Sequence, residues 1–489
     1  MEFPPDVPLS QRHLQFALAL IGDLSWLLWD QQVPIYKAVH SIPDQIDEFV
    51  VLCARQFGKS HLGVILAIES ATRHRDRCIL IMGPDTKQTK DIVNPRMRRI
   101  QAYLPPGMLV PSKSENKWIL YHDRDKKQLD FSEIVIGGMN ENSSSQRGKT
   151  VQDIFIEEVE DINPDDYTES LRSDLGPALA HSQAGKMVFL TTPPKVPDHP
   201  FNTDTLVKAR LNDSLAVFTI DDNTALSPTQ YEACVRRCGG KETDDFKREF
   251  LCQIIRDKSL VVVPAFNDEK HVLQLTIPPQ TTWNIMVDWG GVQDYTVGLL
   301  YTYDYLRNKL LFKEEFVFFE NTPTNVIWPE IRRWMEDYHI PWTRVYADAP
   351  GQVLVDLASL LSKAKERGKM PLVEGEPSIG LPRKDDWESA INNVNVKFGI
   401  DFIEIDEGMK FTRETLRSGT FNKKRTDFER TKALGHCDAL ATLMYAIRHF
   451  DKESPYPHIF QRVENVFVRP KTSEASIGAM VGKSFGGRH

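Results

Sequence analysis

The sequence predicts an α/β protein of two domains, and three observations support this fold class. The chain has 489 residues, which exceeds the size at which one hydrophobic core usually keeps growing. Between residues 49 and 195, short apolar runs alternate with longer polar or helical stretches, as expected for a mostly parallel sheet flanked by helices. A second series of strand-like runs begins near residue 280 and continues into a helix, which predicts a mixed sheet with helices.

Each predicted element follows from a local pattern. Residues 10–29 carry apolar side chains at helical spacing behind Ser10, so a helical lead-in is expected within residues 1–50. The predicted strands of the first sheet are FVVLCA, CILIMG, EIVIGG, DIFIEE and MVFLTT. In the second part, an antiparallel meander is predicted for WNIMVDWG, YTVGLLYTYD and KLLFKEEFVFF. A helix over 325–338 and a parallel strand in RVYADA are expected to follow.

Prolines and a change of pattern place the domain boundary between residues 256 and 278. We therefore predict a first domain over 1–255, a linker over 256–278 and a second domain over 279–452. The last residues, 453–489, are rich in Ser, Gly, Lys and Arg. Their composition predicts a flexible tail.

Composition and charge exclude several classes of protein. A hydrophobic fraction of 41% indicates a globular chain rather than a disordered one. The apolar runs fall well short of the ~20 residues of a membrane span, and the first residues lack a signal-peptide pattern, so we expect a cytoplasmic protein without a membrane partner. The net charge of −8 argues against general polyanion binding, so any nucleic-acid surface must be local.

The six cysteines are scattered along the chain and are expected to be buried thiols. Cys234 and Cys238 are spaced for one helix face, but no second Cys/His pair follows at the spacing of a zinc site. A structural role therefore fits them better than metal binding.

Residues 49–68 predict a phosphate-binding loop. They read as strand, loop and helix, and Gly58, Lys59 and Ser60 stand where the helix begins. In such loops backbone N–H groups cradle phosphate oxygens, the lysine reaches the β- and γ-phosphates of ATP, and the serine binds Mg²⁺. The full motif has a glycine five residues before Gly58, where this chain has Cys53. By itself the tripeptide is equally compatible with a polar helix start.

A second part of an ATP site follows about a hundred residues later. The run DIFIEEVED is an apolar strand that ends in Glu157 and Glu158. P-loop ATPases place one carboxylate near Mg²⁺ and a second beside the attacking water at such a strand end. We therefore interpret Glu157 as a Mg²⁺ residue and Glu158 as the catalytic base. An acidic strand exit is common alone but uncommon in this order and spacing.

Three acidic residues in the second part of the chain predict a nuclease-type metal site. Asp288 and Asp348 lie near the ends of predicted strands, and Asp438 lies in an apolar helical run. Carboxylates in apolar surroundings are costly unless a cation compensates them. Together they would hold two Mg²⁺ or Mn²⁺ ions that flank a scissile phosphate. Spacing does not establish that they meet, and a turn or cap role is the alternative for each.

The motifs as a set resemble the large terminase subunits of tailed bacteriophages. CARQFGKS is similar to the variant Walker A of that family, which implies phosphate contacts for Arg55 and Gln56. Residues 138–158 resemble the Arg-Gly element that precedes Walker B, which makes Arg147 the arginine finger, acting in cis or from a neighbouring subunit. FKREFLCQII, at 246–255, resembles the element that ends the ATPase domain.

Two further stretches carry the same resemblance. LLWDQQVPIYKAV is similar to the adenine motif of the family, with Gln32 as the residue that recognises the base, and KMVFLTTPP is similar to its coupling motif, with Thr191 and Thr192. Glu157 stands in place of the usual Walker B aspartate, and Thr191 in place of the usual serine. The alternatives are a polar helix position for Gln32 and strand-ending threonines at 191 and 192.

The acidic set resembles the RNase H-like nuclease domain of the same family. VDWGGVQDYTVGLL is similar to its first motif and HCDALATLMYA to its last. The resemblance implies that Asp294 accompanies Asp288, Asp348 and Asp438 as an accessory acid. It also implies a hydrogen-bonding role for His436, for which a histidine satisfied within a core is the alternative.

The resemblance implies an ATPase and endonuclease that packages viral DNA in the host cytoplasm. ATP hydrolysis would drive double-stranded DNA into a procapsid, and the nuclease would cut concatemeric DNA. The implied partners are DNA, a portal protein, a small terminase subunit and further copies of the chain in a ring. We also predict that Lys423, Lys424 and Arg425, which precede Asp438, contact the phosphate backbone.

Two other functions remain open from the sequence. A helicase–nuclease of repair or restriction type would share the ATP and metal chemistry, and strand separation would distinguish it. A non-catalytic DNA-binding scaffold would keep only the fold. The presence of Lys59, Glu158, Asp288, Asp348 and Asp438 argues against the scaffold.

Overall fold

The computed structural model describes residues 9–452 except 114–115, 123–129, 141–150, 181, 183, 258, 279–280, 292–293, 320–321, 342–343 and 367–386. The chain divides into two compact units. Unit 1 comprises the residues up to Val262 together with Ser418–His436, and unit 2 comprises Val263–Arg417 and the residues from Cys437. The first division falls inside the linker expected at 256–278. Residues 418–436, expected in the second domain, pack with unit 1 instead.

The strands of unit 1 are β1 (Glu48–Cys53), β2 (Cys78–Gly83), β3 (Leu109–Pro111), β4 (Lys117–Tyr121), β5 (Phe131–Gly138), β6 (Val151–Glu157), β7 (Lys186–Thr191) and β8 (Leu215–Phe218). Its α-helices are α1 (Leu9–Leu20), α2 (Val33–His40), α3 (Lys59–Arg73), α4 (Thr86–Gln101), α5 (Pro164–Glu169), α6 (Gly176–Leu179), α7 (Leu206–Leu211), α8 (Pro228–Arg237) and α9 (Asp244–Glu249). A π-helical turn, Phe201–Thr205, leads directly into α7.

The sheet of unit 1 has the strand order β3-β4-β5-β2-β6-β7-β1-β8. The pairs β3–β4 and β4–β5 are antiparallel and the others are parallel. Strand β2 is buried along its whole length, and β1 is buried except at its first residue. Full burial explains why these strands read as continuous apolar runs, because parallel sheets carry helices on both faces. The predicted helical lead-in and the mostly parallel sheet are confirmed.

The strands of unit 2 are β9 (Val272–Leu273), β10 (Trp283–Asp288), β11 (Thr296–Asp304), β12 (Lys309–Phe318), β13 (Val345–Asp348) and β14 (Ile403–Asp406). Its α-helices are α10 (Asp268–His271), α11 (Thr324–Asp337), α12 (Gly351–Glu366), α13 (Trp387–Gly399), α14 (Lys410–Ser418) and α15 (Asp438–Lys452). The strand order is β13-β10-β11-β12-β14-β9.

The sheet of unit 2 is mixed, as predicted. Strands β10, β11 and β12 form an antiparallel meander, and β13 extends it in parallel beside β10. Apolar side chains of β10 and α11 form a core in which Ile285, Ile327 and Trp334 are fully buried. The parallel pairing of β10 with β13 is what later brings two acidic residues together.

Two further sequence expectations can be compared with the fold. All six cysteines are free thiols, and Cys238 directly follows α8, which carries Cys234. Within the described ranges, none of the helices has the length and apolar character needed to cross a bilayer.

Candidate functional site

Three strand ends of unit 1 bring the predicted ATP-site residues to one edge of the sheet. Strand β7 pairs in parallel with β1 on one side and with β6 on the other. Because parallel strands end at the same edge, the loop after β1, the acids after β6 and the threonines after β7 become neighbours. Motifs that are far apart along the chain therefore lie together at one edge of the sheet.

The loop between β1 and α3 has the backbone of a tight phosphate-binding turn. Gln56 and Gly58 both have positive φ, at 68° and 83°, a conformation in which only glycine meets no steric penalty. Lys59 Nζ donates to the carbonyl oxygens of Cys53 at 3.0 Å and Ala54 at 3.4 Å. These hydrogen bonds link Lys59, the first residue of α3, to the end of β1 across the loop. Cys53, which occupies the position of the glycine in the full motif, is buried.

Glu157 is the best candidate to hold a divalent cation in unit 1. Its side chain is buried, at 3% exposure, and hydrogen-bonds Ser60. The pKa of Glu157 is raised to about 7, chiefly by burial; the Ser60 hydrogen bond opposes this shift and the neighbouring charge of Glu158 adds to it. Its Oε1 atom has no hydrogen-bond partner in the described part of the chain. A buried carboxylate oxygen beside a serine hydroxyl is a donor set that fits Mg²⁺.

Gly63 explains how the chain accommodates glutamate at this position. It lies one turn into α3, and a Cβ atom placed on it would collide with Glu157 Oε1. The longer arm of Glu157, compared with the aspartate usual in the family it resembles, thus takes up the volume that a side chain at residue 63 would occupy. A small residue at this point of the helix was not anticipated from the sequence.

The buried carboxyl of Glu157 predicts a pH-dependent stability in EDTA. The pKa of Glu157 in the folded state, about 7, lies above its ordinary value of 4.5. The protonated side chain therefore contributes fully to the free energy of unfolding below about pH 4.5, and this contribution is lost as the pH rises through 7. We expect Glu157→Gln to raise the free energy of unfolding at pH 8 by on the order of 2 kcal/mol and to change it little at pH 4.5. Denaturant unfolding at both pH values, with Glu232→Gln as an exposed control, measures this. An equal effect of Glu157→Gln at both values would contradict it.

Glu158, the predicted catalytic base, is held by a residue that the sequence did not single out. Gln88 Nε2, in the first turn of α4, donates to Glu158 Oε2 at 2.8 Å. Glu158 itself has a positive φ of 51°, an uncommon conformation for a residue with a side chain. Burial raises the pKa of its carboxyl, and the Gln88 hydrogen bond acts in the opposite direction. The carboxylate of Glu158 is thereby held by α4.

The two threonines after β7 are bound by a third acid, Glu160. Its Oε2 accepts from Thr191 Oγ1 at 2.6 Å and its Oε1 accepts from Thr192 Oγ1 at 2.7 Å. The backbone N–H of Val159 also donates to Thr191 Oγ1 at 3.1 Å. Both threonines are fully buried. The turn after β6 and the end of β7 therefore behave as one hydrogen-bonded piece, which supports a coupling role for Thr191 and Thr192.

Gln32 lies against the phosphate loop. Its Nε2 donates to the carbonyl of Gly58 at 2.8 Å, and its Oε1 accepts from the N–H of Trp29 at 2.9 Å. Trp29 in turn stacks on His61, with ring centroids 5.1 Å apart. Gln32 is fully buried, so in this arrangement its polar atoms support the loop. Base recognition by Gln32 stays a prediction.

Arg55 and Gln56, the other predicted phosphate contacts, are both exposed at the loop. Arg55 forms an ion pair with Glu249 at the end of α9, and Glu249 also pairs with Arg248. Glu249 belongs to the FKREFLCQII element, which therefore packs on the phosphate loop. Arg147, the predicted arginine finger, lies outside the described residues.

In unit 2, the register of β10 and β13 brings two predicted metal ligands side by side. Asp288 and Asp348 are directly paired residues at the ends of these parallel strands. Tyr445 of α15 hydrogen-bonds Asp348, and the pKa of Tyr445 is raised by burial and by the charges of Asp288 and Asp348. Two acids and a tyrosine hydroxyl thus share one end of the sheet.

Asp438 contacts the loop that precedes β11. It is the first residue of α15, and its Oδ2 accepts from the N–H of Tyr295 at 2.7 Å. Tyr445, two helical turns further along α15, contacts Asp348. Asp294 precedes Tyr295 in the same loop, and a Cβ atom on Gly290 would meet its carbonyl oxygen at 2.5 Å. The loop is therefore tightly folded against itself.

These acids do not form a ready metal cage. Within the described residues, no group of three or more His, Cys, Asp or Glu side chains is placed to hold a metal ion. The oxygen ligands are chemically suited to Mg²⁺, but the metal set of Asp288, Asp294, Asp348 and Asp438 stays a prediction. His436 lies in unit 1, where its Nε2 is 3.0 Å from Asp427 Oδ1.

The predicted DNA-contacting residues differ in their surroundings. Lys423 and Lys424 are exposed and line a cavity of unit 1, and Lys423 forms a loose ion pair with exposed Asp198, at 3.7 Å. Arg425 Nη1 instead donates to the carbonyl of Ser259 at 2.6 Å, and its guanidinium lies 4.9 Å from the ring centroid of Phe421. Arg425 has a structural role that the two lysines lack.

Comparison with protein families agrees with the geometry of unit 1. Residues 50–262 match the family model described as terminase large subunit, T4likevirus-type, N-terminal. The resemblance to large terminase subunits is thereby confirmed over these residues. Comparison with curated proteins gives no match.

Solved structures of large terminases are also similar to this chain. The large terminase of the thermophilic bacteriophage D6E is 16% identical, with 86% of this chain and 98% of that chain covered and a TM-score of 0.38. The large terminase of bacteriophage HK97 is 12% identical, with coverages of 89% and 99% and a TM-score of 0.44. The nuclease domain of the P22 large terminase is 15% identical, with coverages of 39% and 92% and a TM-score of 0.28.

Proposed function

We propose that this protein is the large subunit of a viral DNA-packaging terminase, with an ATPase in unit 1 and a metal-dependent endonuclease in unit 2. The observation that supports this most strongly is the meeting of Lys59, Glu157, Glu158 and the two threonines at one sheet edge, inside the residues that match the terminase family model. DNA, a portal protein, a small subunit and a ring of copies are the partners in this proposal.

In the proposed ATPase, each side chain has a separate task. Lys59 would offer its positive charge to the β- and γ-phosphates, and Ser60 and Glu157 would hold Mg²⁺, which would neutralise phosphate charge. Glu158 accepts a proton from the attacking water while Gln88 fixes its direction. Glu160 binds both threonines at once, so a change beside Glu158 is passed to the end of β7.

In the proposed nuclease, the pairing of β10 with β13 supports Asp288 and Asp348 as two of the metal ligands. The two residues are directly paired on adjacent strands, and Mg²⁺ or Mn²⁺ would supply the chemistry of phosphodiester cleavage. Asp438 and Asp294 complete the set by resemblance to the family. Tyr445 orients Asp348 by hydrogen bonding to it.

ATP hydrolysis tests the first half of the proposal. Wild-type protein is expected to hydrolyse ATP in Mg²⁺, faster with double-stranded DNA, and Lys59→Ala is expected to lose that activity because phosphate charge is no longer compensated. Absence of ATP binding and hydrolysis in the wild type would overturn it. Separation of DNA strands by the protein would favour a helicase–nuclease instead.

Cleavage of supercoiled plasmid tests the second half. The wild-type protein is expected to cut in Mg²⁺ or Mn²⁺, and EDTA or Asp288→Ala is expected to abolish the cutting. Cleavage by Asp288→Ala at the wild-type rate would show that unit 2 acts through other residues. A wild type that neither cuts DNA nor hydrolyses ATP would favour a scaffold.

The exposed lysines give a prediction about DNA affinity. The double variant Lys423→Ala/Lys424→Ala is expected to weaken DNA binding about equally for all sequences and to lower the slope of log K against log salt by about 2, one for each phosphate contact. Fluorescence anisotropy from 50 to 200 mM salt measures the slope, with Lys241→Ala as a control. An unchanged slope would remove these residues from the DNA surface.

A further inference from the structure

Glu69 of α3 is a fully buried carboxylate that none of the proposed steps at the ATP site uses. It lies ten residues beyond Lys59, about 15 Å along the helix axis, so it is too far from Lys59 to contact the same phosphate groups. A glutamate is almost never fully buried unless its charge has partners. The groups that bind Glu69 therefore indicate what it does.

Four groups of the described chain bind the carboxylate of Glu69. Its Oε1 accepts from the backbone N–H of Leu24 at 2.6 Å and from the hydroxyl of Tyr36 at 2.9 Å. Its Oε2 lies 2.9 Å from His40 Nε2 and accepts from Arg73 Nη2 at 3.3 Å. Three of these groups belong to the lead-in that precedes β1, so Glu69 ties the lead-in to α3.

Arg73 strengthens the same attachment. Its Nη2 also donates to the carbonyl of Gly22 at 2.6 Å, and its Nη1 lies 3.3 Å from His40 Nδ1. Gly22 has a positive φ of 74°, and a Cβ atom placed on it would lie 2.8 Å from Arg73 Cγ, so the chain turns here close against the arginine. Residues 22–40, termed the brace, are therefore fixed to the second half of α3.

The brace also lies against the phosphate loop. Gln32 donates to the carbonyl of Gly58 at 2.8 Å, and His61 Nε2 lies 3.2 Å from the carbonyl of Leu27. A Cβ atom placed on Gly58 would lie 2.6 Å from both Gln32 Nε2 and Trp29 Cζ3. A glycine at position 58 thus allows the brace to approach the backbone of the loop.

The two attachments of the brace are linked by a short piece of regular structure. Gln32 directly precedes α2, the helix that carries Tyr36 and His40. The N–H of Gln32 donates to the carbonyl of Trp29 at 2.8 Å. A shift of α2 away from Glu69 would therefore move Gln32 and Trp29 relative to the phosphate loop.

We propose that Glu69 is a positioning residue that sets the affinity of the phosphate loop for nucleotide by holding the brace against Gly58. The proposal rests on the proposed ATPase function and deepens it. When the brace is released, the loop adopts its binding conformation for a smaller fraction of the time, and the apparent affinity falls by that fraction. The base Glu158 is held by α4, so the chemical step is expected to keep its rate.

Nucleotide affinity and turnover of the full-length protein test this role. Glu69→Leu removes both acceptor oxygens but keeps a side chain of similar size. It is expected to raise the KM for ATP and the dissociation constant of ATPγS about tenfold or more, with kcat within about twofold of the wild type. Glu69→Gln keeps one acceptor oxygen and should stay within about threefold. Asp153→Asn is the control, because this carboxylate is bound to Ser70 of α3 and to the backbone N–H of Lys186.

Tyr36→Phe gives a second test that does not empty the core. It removes one donor to Glu69 and is expected to raise the KM for ATP about threefold at unchanged kcat. Hydrogen–deuterium exchange reports the brace itself. The amide of Gln32 is expected to exchange about fivefold faster or more in Glu69→Leu and Tyr36→Phe, and at the wild-type rate in Asp153→Asn.

Faster exchange at Gln32 together with a raised KM supports the proposal. An unchanged KM or unchanged Gln32 exchange in Tyr36→Phe, or in folded Glu69→Leu, refutes it while the ATPase stands. A lower kcat at unchanged KM would also refute it, because Glu69 would then serve only the stability of the fold. If the wild-type protein neither binds ATPγS nor hydrolyses ATP, the proposed ATPase fails and the role of Glu69 fails with it.

Discussion

Replacing Gly63 with alanine is expected to lower Mg²⁺-dependent ATP hydrolysis about 100-fold while leaving unit 1 folded. The added methyl group would collide with Glu157 Oε1 and would lie 3.2 Å from Leu190 Cδ1. Within a helix, alanine is more stable than glycine by roughly 0.5–1 kcal/mol, so the change by itself stabilises α3. The carboxylate is displaced from the cation position, and such a misplacement lowers activity about 100-fold.

A second substitution tests whether the lost activity comes from the displaced carboxylate of Glu157 or from a general disturbance of the fold. Gly63→Ala/Glu157→Asp shortens the arm by one methylene, so hydrolysis should recover at least about tenfold over the single variant. Gly399→Ala, at the end of α13 with nothing within 4 Å of the added Cβ, is the control. Steady-state hydrolysis and the Mg²⁺ concentration for half-maximal rate are measured for each. Normal hydrolysis by Gly63→Ala would show that Glu157 does not act at this position.

Glu158→Gln is expected to lower single-turnover ATP hydrolysis by about 10²- to 10⁴-fold without weakening ATP binding. An amide cannot take a proton from water, yet its oxygen can still accept the hydrogen bond from Gln88 that now binds Glu158 Oε2. Quench-flow with labelled ATP and calorimetry with ATPγS measure the two properties. Hydrolysis by Glu158→Gln near the wild-type rate would assign the base to another residue.

The variant Gln88→Ala tests whether Gln88 acts by holding Glu158, the proposed catalytic base. The Gln88 hydrogen bond favours the ionised carboxylate of Glu158, so its loss raises the pKa of that group and moves the acidic limb of the pH–rate profile to higher pH. At high pH the variant should regain most of its rate. An unshifted profile with a lower plateau would mean that Gln88 has only a structural role.

The parts of the fold that local pattern determines could be predicted from the sequence. Strands β1, β2, β5, β6 and β7 are short apolar runs bounded by polar segments, and the meander of β10, β11 and β12 follows from three such runs with short turns. The short strands β3, β4, β8, β9 and β14 were not predicted. The phosphate loop is also local, because strand, loop and helix are consecutive. In these cases the information lies within about 20 residues of chain.

The contacts that hold the site residues in place could not be predicted in this way. Gln88 is 70 residues from Glu158, and a glutamine in a polar helix turn carries no signal of its partner. Glu160 lies in the same acidic run as Glu157 and Glu158. Its nearness to them in the sequence was the one signal that it belongs to the site. Gly63 could be understood only once Glu157 was seen against α3.

The segment 418–436 shows that a structural unit need not be a continuous stretch of sequence. Its sequence is basic and polar, with Phe421 and Phe428 as isolated apolar residues, so no periodicity marks it as part of unit 1. Backbone pairing with residues 260–262 and the carboxylate of Asp204 determine where it packs. Both are tertiary contacts between segments more than 150 residues apart.

The most direct test of two active sites in one chain is to measure both activities on the same preparations of wild type, Lys59→Ala and Asp288→Ala. We predict that Lys59→Ala loses ATP hydrolysis but still cuts plasmid in nucleotide-free buffer with Mn²⁺, and that Asp288→Ala loses cutting but still hydrolyses ATP. Loss of both activities in either folded variant, or a wild type active in neither assay, would contradict the account.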